Sequence, residues 1–262
     1  MTNNTSTDNH SLLAQANDPD TASEILVHLS MSDDEVIRGA VACNKSTPQV
    51  VIESLLKDKS EYVLDCLKKR AVLHQPRFIK PQKVIGKHVV FREANTADAE
   101  FILQLRTDSV IGKYLSHTSN DLNLQVQWLE KYVKDSTQIY FIIEDKTGER
   151  FGTIRLYDQR GDSFCWGSWI LREGRPSGFA VESALMVYHF ALGLGFKQSH
   201  FDVRKGNESV WNFHERFGAV RVAETDEDYL YSISLEAIQK SLQKYEKYLP
   251  NGVEVQSKAS LI

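Results

Sequence analysis

Arg175-Pro176-Ser177-Gly178-Phe179-Ala180 is the stretch on which the reading of this chain turns. It follows a strand-like run, Phe164 to Leu171, and precedes an apolar helical pattern over about Val181 to Gly193. A loop placed between a strand and a helix turns successive backbone N–H groups toward one point. The helix N-terminus adds about half a positive charge there, and a diphosphate fits such a cradle. Gly178 permits close backbone approach, and Arg175 can add charge-assisted hydrogen bonds.

Outward from this bend the chain alternates between period-2 and period-3.6 patterns. Upstream, Val89, Val90 and Phe91 begin a strand. Thr96 through Arg106 reads as a helix capped at Thr96, with Asp98 and Glu100 in its first turn. Leu122 to Val133 gives a second helix carrying Trp128, and Tyr140 to Glu144 and Phe151 to Tyr157 are strands joined by a Lys-Thr-Gly-Glu turn. Downstream come a strand at Ser199 to Val203, a helix at Ser209 to Phe217, and strands near Ala219 to Ala223 and Tyr229 to Ser234. A charged amphipathic helix, Leu235 to Tyr248, closes the series. This order predicts an α+β domain over residues 86–250, a curved mixed sheet flanked by helices.

Residues 18–70 obey a different grammar. Thr21, Ile25, Leu26 and Leu29 recur as Thr47, Val51, Ile52 and Leu55, and Val36, Ile37, Ala40 and Val41 recur as Tyr62, Val63, Cys66 and Leu67. A fixed period of this size signals stacked helical units. Thr21 and Thr47 are expected to cap helices that begin at Ala22 and Pro48. On these residues the segment resembles the leucine-rich-repeat variant family; no cysteine cluster carries over the iron-sulfur site of some relatives. Residues 1–17 are expected to lack order, 71–85 (with Pro76 and Pro81) to form a linker, and 251–262 to form a tail. Docking of a protein partner, or self-association, through the repeats is a further expectation.

Bulk properties exclude several classes. The 262 residues carry a net charge of −4, so no global basic field favours nucleic acid or anionic lipid. Cys43, Cys66 and Cys165 form no CxxC pair, which argues against a zinc site or disulfide framework and predicts no metal. The polar start lacks a signal-peptide pattern, and no apolar run approaches the roughly 20 residues of a membrane helix. The cytoplasm is the expected compartment.

With Arg175, Gly178 and Ala180 at the spacing R-x-x-G-x-A, residues 86–248 resemble the GCN5-related N-acetyltransferase (GNAT) superfamily, in the branch of ribosomal-protein and amino-sugar acetyltransferases. The resemblance implies that this bend, with the backbone of Ser177 and Phe179, binds the pyrophosphate of acetyl-CoA. It also implies that Trp169, Ile170 and Leu171 lie on a splayed strand holding the pantetheine arm. A second family segment maps onto Asn207, Val210, His214, Gly218 and Ala219. Asn207, which can bond the pantetheine arm, is retained, while Val210 and Ala219 replace a serine and an aromatic. His214 stands where the family's tyrosine protonates the departing thiolate, and an ordinary histidine pKa of about 6.5 suits that role. Glu182 stands where relatives carry a helix glutamate.

No glutamate stands in the expected third strand, where Cys165, Trp166 and Ser168 occur instead, so Glu144 and Asp202 are candidate bases without assignment. Arg106, Thr118, Trp128, Arg155 and Tyr157 fall in regions that cover the acceptor cleft in the family. The resemblance implies acetyl transfer from acetyl-CoA to a primary amine, with a nucleotide-linked amino sugar favoured as acceptor. The alternatives are a protein N-terminal amine, or a non-catalytic acyl-CoA-binding module.

Overall fold

The computed structural model describes residues 4–73 and 75–257, which divide into two compact units, Met1–Gln75 and Pro76–Ile262. In the first unit α1 (Asn4–Asn17) precedes α2 (Ser23–Leu29), α3 (Glu35–Cys43), α4 (Gln49–Leu55) and α5 (Glu61–Leu73). The expectation of disorder over 1–17 is corrected for the described part. Ala16 is fully buried in the core of this unit, and its carbonyl accepts from Asn44 Nδ2 at 2.8 Å. Residues 1–3 lie outside the described residues.

The second helix pair begins 26 positions after the first, at Gln49 after Ser23 and Glu61 after Glu35. The threonines do not cap. Thr21 Oγ1 donates to the Gln15 carbonyl at 2.7 Å and Thr47 Oγ1 to the Val41 carbonyl at 2.6 Å. Each hydroxyl thus adds a second donor to a carbonyl near the end of the preceding helix, which also accepts a backbone N–H, from Asp18 and Asn44 respectively. Ala22 and Pro48, extended, are the N-caps.

The second unit is built on a nine-stranded sheet in the order β7-β8-β6-β5-β4-β3-β2-β1-β9. The strands are β1 (Lys83–Ile85), β2 (Val89–Glu93), β3 (Ile139–Asp145), β4 (Arg150–Arg160), β5 (Ser163–Leu171), β6 (Gln198–Arg204), β7 (Val220–Glu224), β8 (Asp228–Ile233) and β9 (Glu254–Gln256). The expected linker therefore contains the end of α5 and all of β1, and the expected tail supplies β9, which pairs with β1. Residues 258–262 lie outside the described residues. All pairings are antiparallel except β5 with β6, which α8 (Phe179–Gly193) connects.

β3 shows why both faces are covered. Ile139, Phe141 and Ile143 point into the core shared with α8, while Tyr140 and Ile142 alternate onto the opposite face. There Ile102 of α6 (Ala99–Thr107) and Leu129 and Tyr132 of α7 (Leu122–Lys134) meet them. A strand covered on both faces has no polar alternation, as its sequence Ile-Tyr-Phe-Ile-Ile displays. α8 is apolar around nearly its whole circumference and is buried accordingly. Its Glu182, only 2% exposed, accepts from the His88 and Val89 N–H groups at 2.7 and 2.9 Å, tying the start of β2 to the helix. The remaining helices are α9 (Glu208–Arg216) and α10 (Leu235–Lys244), the latter followed by a 3-10 turn, Glu246–Tyr248, rather than continuing to Tyr248 as one helix.

Candidate active site

β5 and β6 pair only at Ser163–Gln198, Phe164–Ser199 and Cys165–His200. Beyond these, β5 stays with β4 to Leu171 and β6 stays with β8 to Arg204, so the two parallel strands part. Side chains fill the apex of the gap: Trp166 lies 5.0 Å from the His214 ring and 6.1 Å from Phe201, and Phe201 is 4.2 Å from His214. The parting leaves main-chain donors and acceptors on facing strand edges without sheet partners across the gap, ready for an amide-rich ligand. A bulge re-aims β5 here. The β4 register shifts between Thr153 and Arg155, and Ser168 takes a left-handed φ of 47°. Thr153 Oγ1 holds the Ser168 carbonyl at 2.9 Å.

A cleft of about 510 Å³ occupies the gap. Trp169, Ile170 and Leu171 line it from β5, Arg175 and Ala180 from the bend, and Asn207 and His214 from the start and body of α9. Asn207 Oδ1 accepts from Ser209 Oγ at 3.4 Å; its Nδ2 makes no hydrogen bond among the described residues. Gly178 is the N-cap of α8 at φ 89°. The structure gives two further reasons for this glycine besides ligand approach: the left-handed backbone, and the Tyr248 ring 3.1 Å from where a Cβ would stand. Ser177 and Phe179 do not line the cleft. They border a separate depression with Asp145 and Lys146, and the buried Phe179 ring packs edge-on against Phe151 at 5.3 Å.

A second cleft, about 400 Å³, is lined by Arg106, Thr118, Trp128, Arg155 and Tyr157, which brings together all five residues expected to face the acceptor. The two clefts share Arg106, Ser116, Tyr157 and Ser168 in their walls. Arg106 pins this junction: its Nε donates to Thr118 Oγ1 at 2.7 Å, Nη2 to Ser116 Oγ at 2.9 Å and Nη1 to Ser168 Oγ at 3.4 Å. Sequence reasoning missed Tyr140 and Tyr114. Tyr140 reads as a core aromatic yet lines the second cleft. Tyr114 lines the first cleft from a loop without periodicity and packs beside Gly206.

The titratable groups sort by environment. His214 is 5% exposed, and burial pushes its imidazole down to about 3, with Nδ1 left without a partner. The ring is therefore neutral at pH 7. The expected imidazolium acid with a pKa near 6.5 is corrected to a neutral ring that can only offer one N–H. Burial pushes the Cys165 thiol up to about 12, which keeps it protonated and unreactive. Glu144 is 6% exposed and ion-paired to Arg92 at 2.7 Å, with Arg92 also held by Asp98, so Glu144 is structural rather than a base. Asp202 is the only carboxylate in the walls of either cleft among the described residues. It stands on β6 two positions past the last pairing with β5, on the face opposite the buried Phe201 and Val203. Its charge adds to burial in raising the Tyr157 phenol.

A sheet that parts beside a left-handed glycine bend at a helix start, with a second cleft meeting the gap, is the architecture of an acyl-CoA-dependent acyltransferase. The model of the acetyltransferase (GNAT) domain matches residues 88–220, and the chain belongs to that family. It is an N-acetyltransferase whose acyl donor is acetyl-CoA. Among solved structures, apo FdhC, a nucleotide-linked sugar GNAT, is 36% identical, with 64% of this chain and 98% of that chain covered and a TM-score of 0.58. The spermidine N-acetyltransferase of Vibrio cholerae in complex with CoA and spermine is 17% identical, covering 58% of this chain and 98% of that one with a TM-score of 0.53. That second likeness concerns the fold alone. No curated protein matches the chain.

Proposed function

We propose that the enzyme acetylates the amino group of a nucleotide-linked amino sugar by direct attack on the thioester. The observation that carries this reading is the meeting of the two clefts at Arg106, Tyr157 and Ser168, where an amine from one side reaches a thioester from the other. The 36% identity to a nucleotide-linked sugar GNAT across nearly all of that chain supports the choice of acceptor. The bend at Arg175, Gly178 and Ala180 takes the donor's diphosphate, and the freed edges of β5 and β6, with Asn207 Nδ2, take its amide-bearing arm.

In the reaction the amine nitrogen forms a bond to the acetyl carbon, the carbon–sulfur bond breaks, and the amine gives up a proton. Asp202, the one carboxylate in the cleft walls among the described residues, receives that proton in this reading, directly or through one water. The departing thiolate has a solution pKa of about 8.5 and leaves without a strong acid, in keeping with a neutral His214. Holding amine and thioester together is worth about 7–11 kcal/mol, the larger part of the acceleration. Residues 18–70 we read as two helical repeat units that dock a protein partner or a second copy, and the enzyme as cytoplasmic, where its three free cysteines stay reduced.

The test is release of coenzyme A and formation of the amide with a panel of UDP- and dTDP-linked amino sugars against peptides with free N-termini. Turnover of at least one sugar nucleotide above every peptide is expected. Turnover of peptides alone would move the assignment to protein N-terminal acetylation, and binding of acetyl-CoA without turnover of any amine would make the chain a binding module.

A further inference from the structure

The second cleft holds two cations that no ion pair neutralises among the described residues. Arg106 and Arg155 both line it, neither makes an ion pair among the described residues, and no aspartate or glutamate stands in its wall. Arg155 also makes no hydrogen bond there, and its Nε is buried without a partner. Its guanidinium is braced instead by aromatic faces, 4.6 Å from the Tyr157 ring centre and 5.4 Å from that of Trp128. Burial is the largest influence on the Arg155 pKa and pushes it down, the Arg106 charge adds to that, and Tyr157, Tyr140 and the more distant Asp135 only partly oppose it. Tyr140 repeats the pattern: it is 2% exposed, lines the same cleft, and its Oη has no hydrogen-bond partner. Arg106 and Thr153 offset part of the burial effect on Tyr140 without reaching bonding geometry.

Stacking on two rings holds a guanidinium in place while leaving its in-plane donors unused. A buried cation without a counter-ion is destabilising, and a second cation beside it makes the site worse, unless an anion arrives with the ligand. We propose that this cleft is an anion subsite in which Arg155 and Arg106, with the Tyr140 hydroxyl, hold a phosphate-class group of the acceptor. This rests on reading the second cleft as the acceptor's side. The planar fork of Arg155 matches two phosphate oxygens, and Arg106, already fixed by Thr118 and Ser116, adds charge at the junction with the first cleft. An amino sugar linked to a nucleoside diphosphate then enters with its diphosphate at Arg155 and its amine toward Ser168 and Asp202. The same field repels a polyamine, whose cations find no carboxylate in this wall.

Calorimetry on the full chain tests this, with coenzyme A saturating so that the donor's diphosphate cradle is occupied. The probes are dTDP, UDP and inorganic pyrophosphate, titrated into wild type, Arg155→Gln and Arg155→Lys. At least one of the three is expected to bind wild type and to lose about 10- to 100-fold in affinity in Arg155→Gln. Arg155→Lys falls between, because charge remains but the fork is gone. Coenzyme A affinity stays equal in all three proteins, which shows that each is folded. Equal affinities in wild type and Arg155→Gln, no uptake of any probe at millimolar concentration, or displacement of the bound probe by spermidine would overturn the subsite. The two readings fail separately. Arg155-dependent uptake of pyrophosphate without acetylation of any sugar nucleotide retains the subsite and rejects that acceptor. Acetylation of a sugar nucleotide that is unaffected by Arg155→Gln does the reverse.

Discussion

In the proposed reaction Asp202, an exposed carboxylate, takes the amine's proton, and His214 stays a buried neutral ring. Asp202→Asn is expected to lower kcat by about 10²-fold with the KM for acetyl-CoA unchanged, and Asp202→Glu to recover part of the loss. Steady-state kinetics against an acceptor found by the panel decides it, and an unchanged kcat removes Asp202 from the proton path. His214 makes a different prediction, about stability. Its folded pKa lies at about 3, well below the ordinary value of about 6.5, so between these the unfolded chain binds the extra proton. Stability therefore rises with pH through that window and is complete above it. His214→Phe should flatten acid destabilisation by up to about 1.4 kcal/mol per pH unit between pH 4 and 6, measured by urea unfolding. An equal slope in both proteins contradicts the buried neutral ring. The sequence made His214 visible as a cleft residue but not its charge state, because protonation depends on Phe201, Trp166 and Trp169 around it, which come from other strands.

The elements were largely legible because their patterns are local. The run Tyr140 to Glu144 reads as a strand and falls within β3, and the Arg175–Ala180 bend is found between the strand and helix that its neighbours announce. What sequence could not give was the partner of each group. Thr21 and Thr47 have the residue type of a cap but bond backward to the helix before them. Glu144 looks like a free strand-end acid until Arg92 on the adjacent strand claims it. Gly178→Ala places a Cβ 3.1 Å from the Tyr248 ring at φ 89°. The left-handed backbone alone costs about 1–2 kcal/mol, and displacing the bend should weaken coenzyme A binding at least about tenfold. Thermal melting and calorimetry together check this; a variant with wild-type melting temperature and coenzyme A affinity would show that the bend tolerates a side chain.

At the scale of the whole molecule, every residue lining the two clefts falls between Arg106 and His214, inside the unit Pro76–Ile262. The helical unit Met1–Gln75 has its own core. A chain of residues 76–262 is therefore expected to keep the coenzyme A affinity and kcat of the full protein; a loss of kcat with intact folding by circular dichroism would give the helical unit a part in the reaction. Among the described residues no helix is long and apolar enough to cross a membrane. The 26-residue spacing of the helical unit was readable from its apolar repeat, whereas α1 was not, because its Asn- and Ser-rich sequence has little amphipathic pattern and is held by Ala16 and Asn44. In the proposed complex the donor lies in the gap between β5 and β6 against the bend that starts α8. Hydrogen exchange followed by mass spectrometry, with and without coenzyme A, decides whether it does. Protection is expected in Trp166–Leu171, Arg175–Glu182 and Phe201–Val210; exchange over these three segments that ignores coenzyme A would place the donor elsewhere.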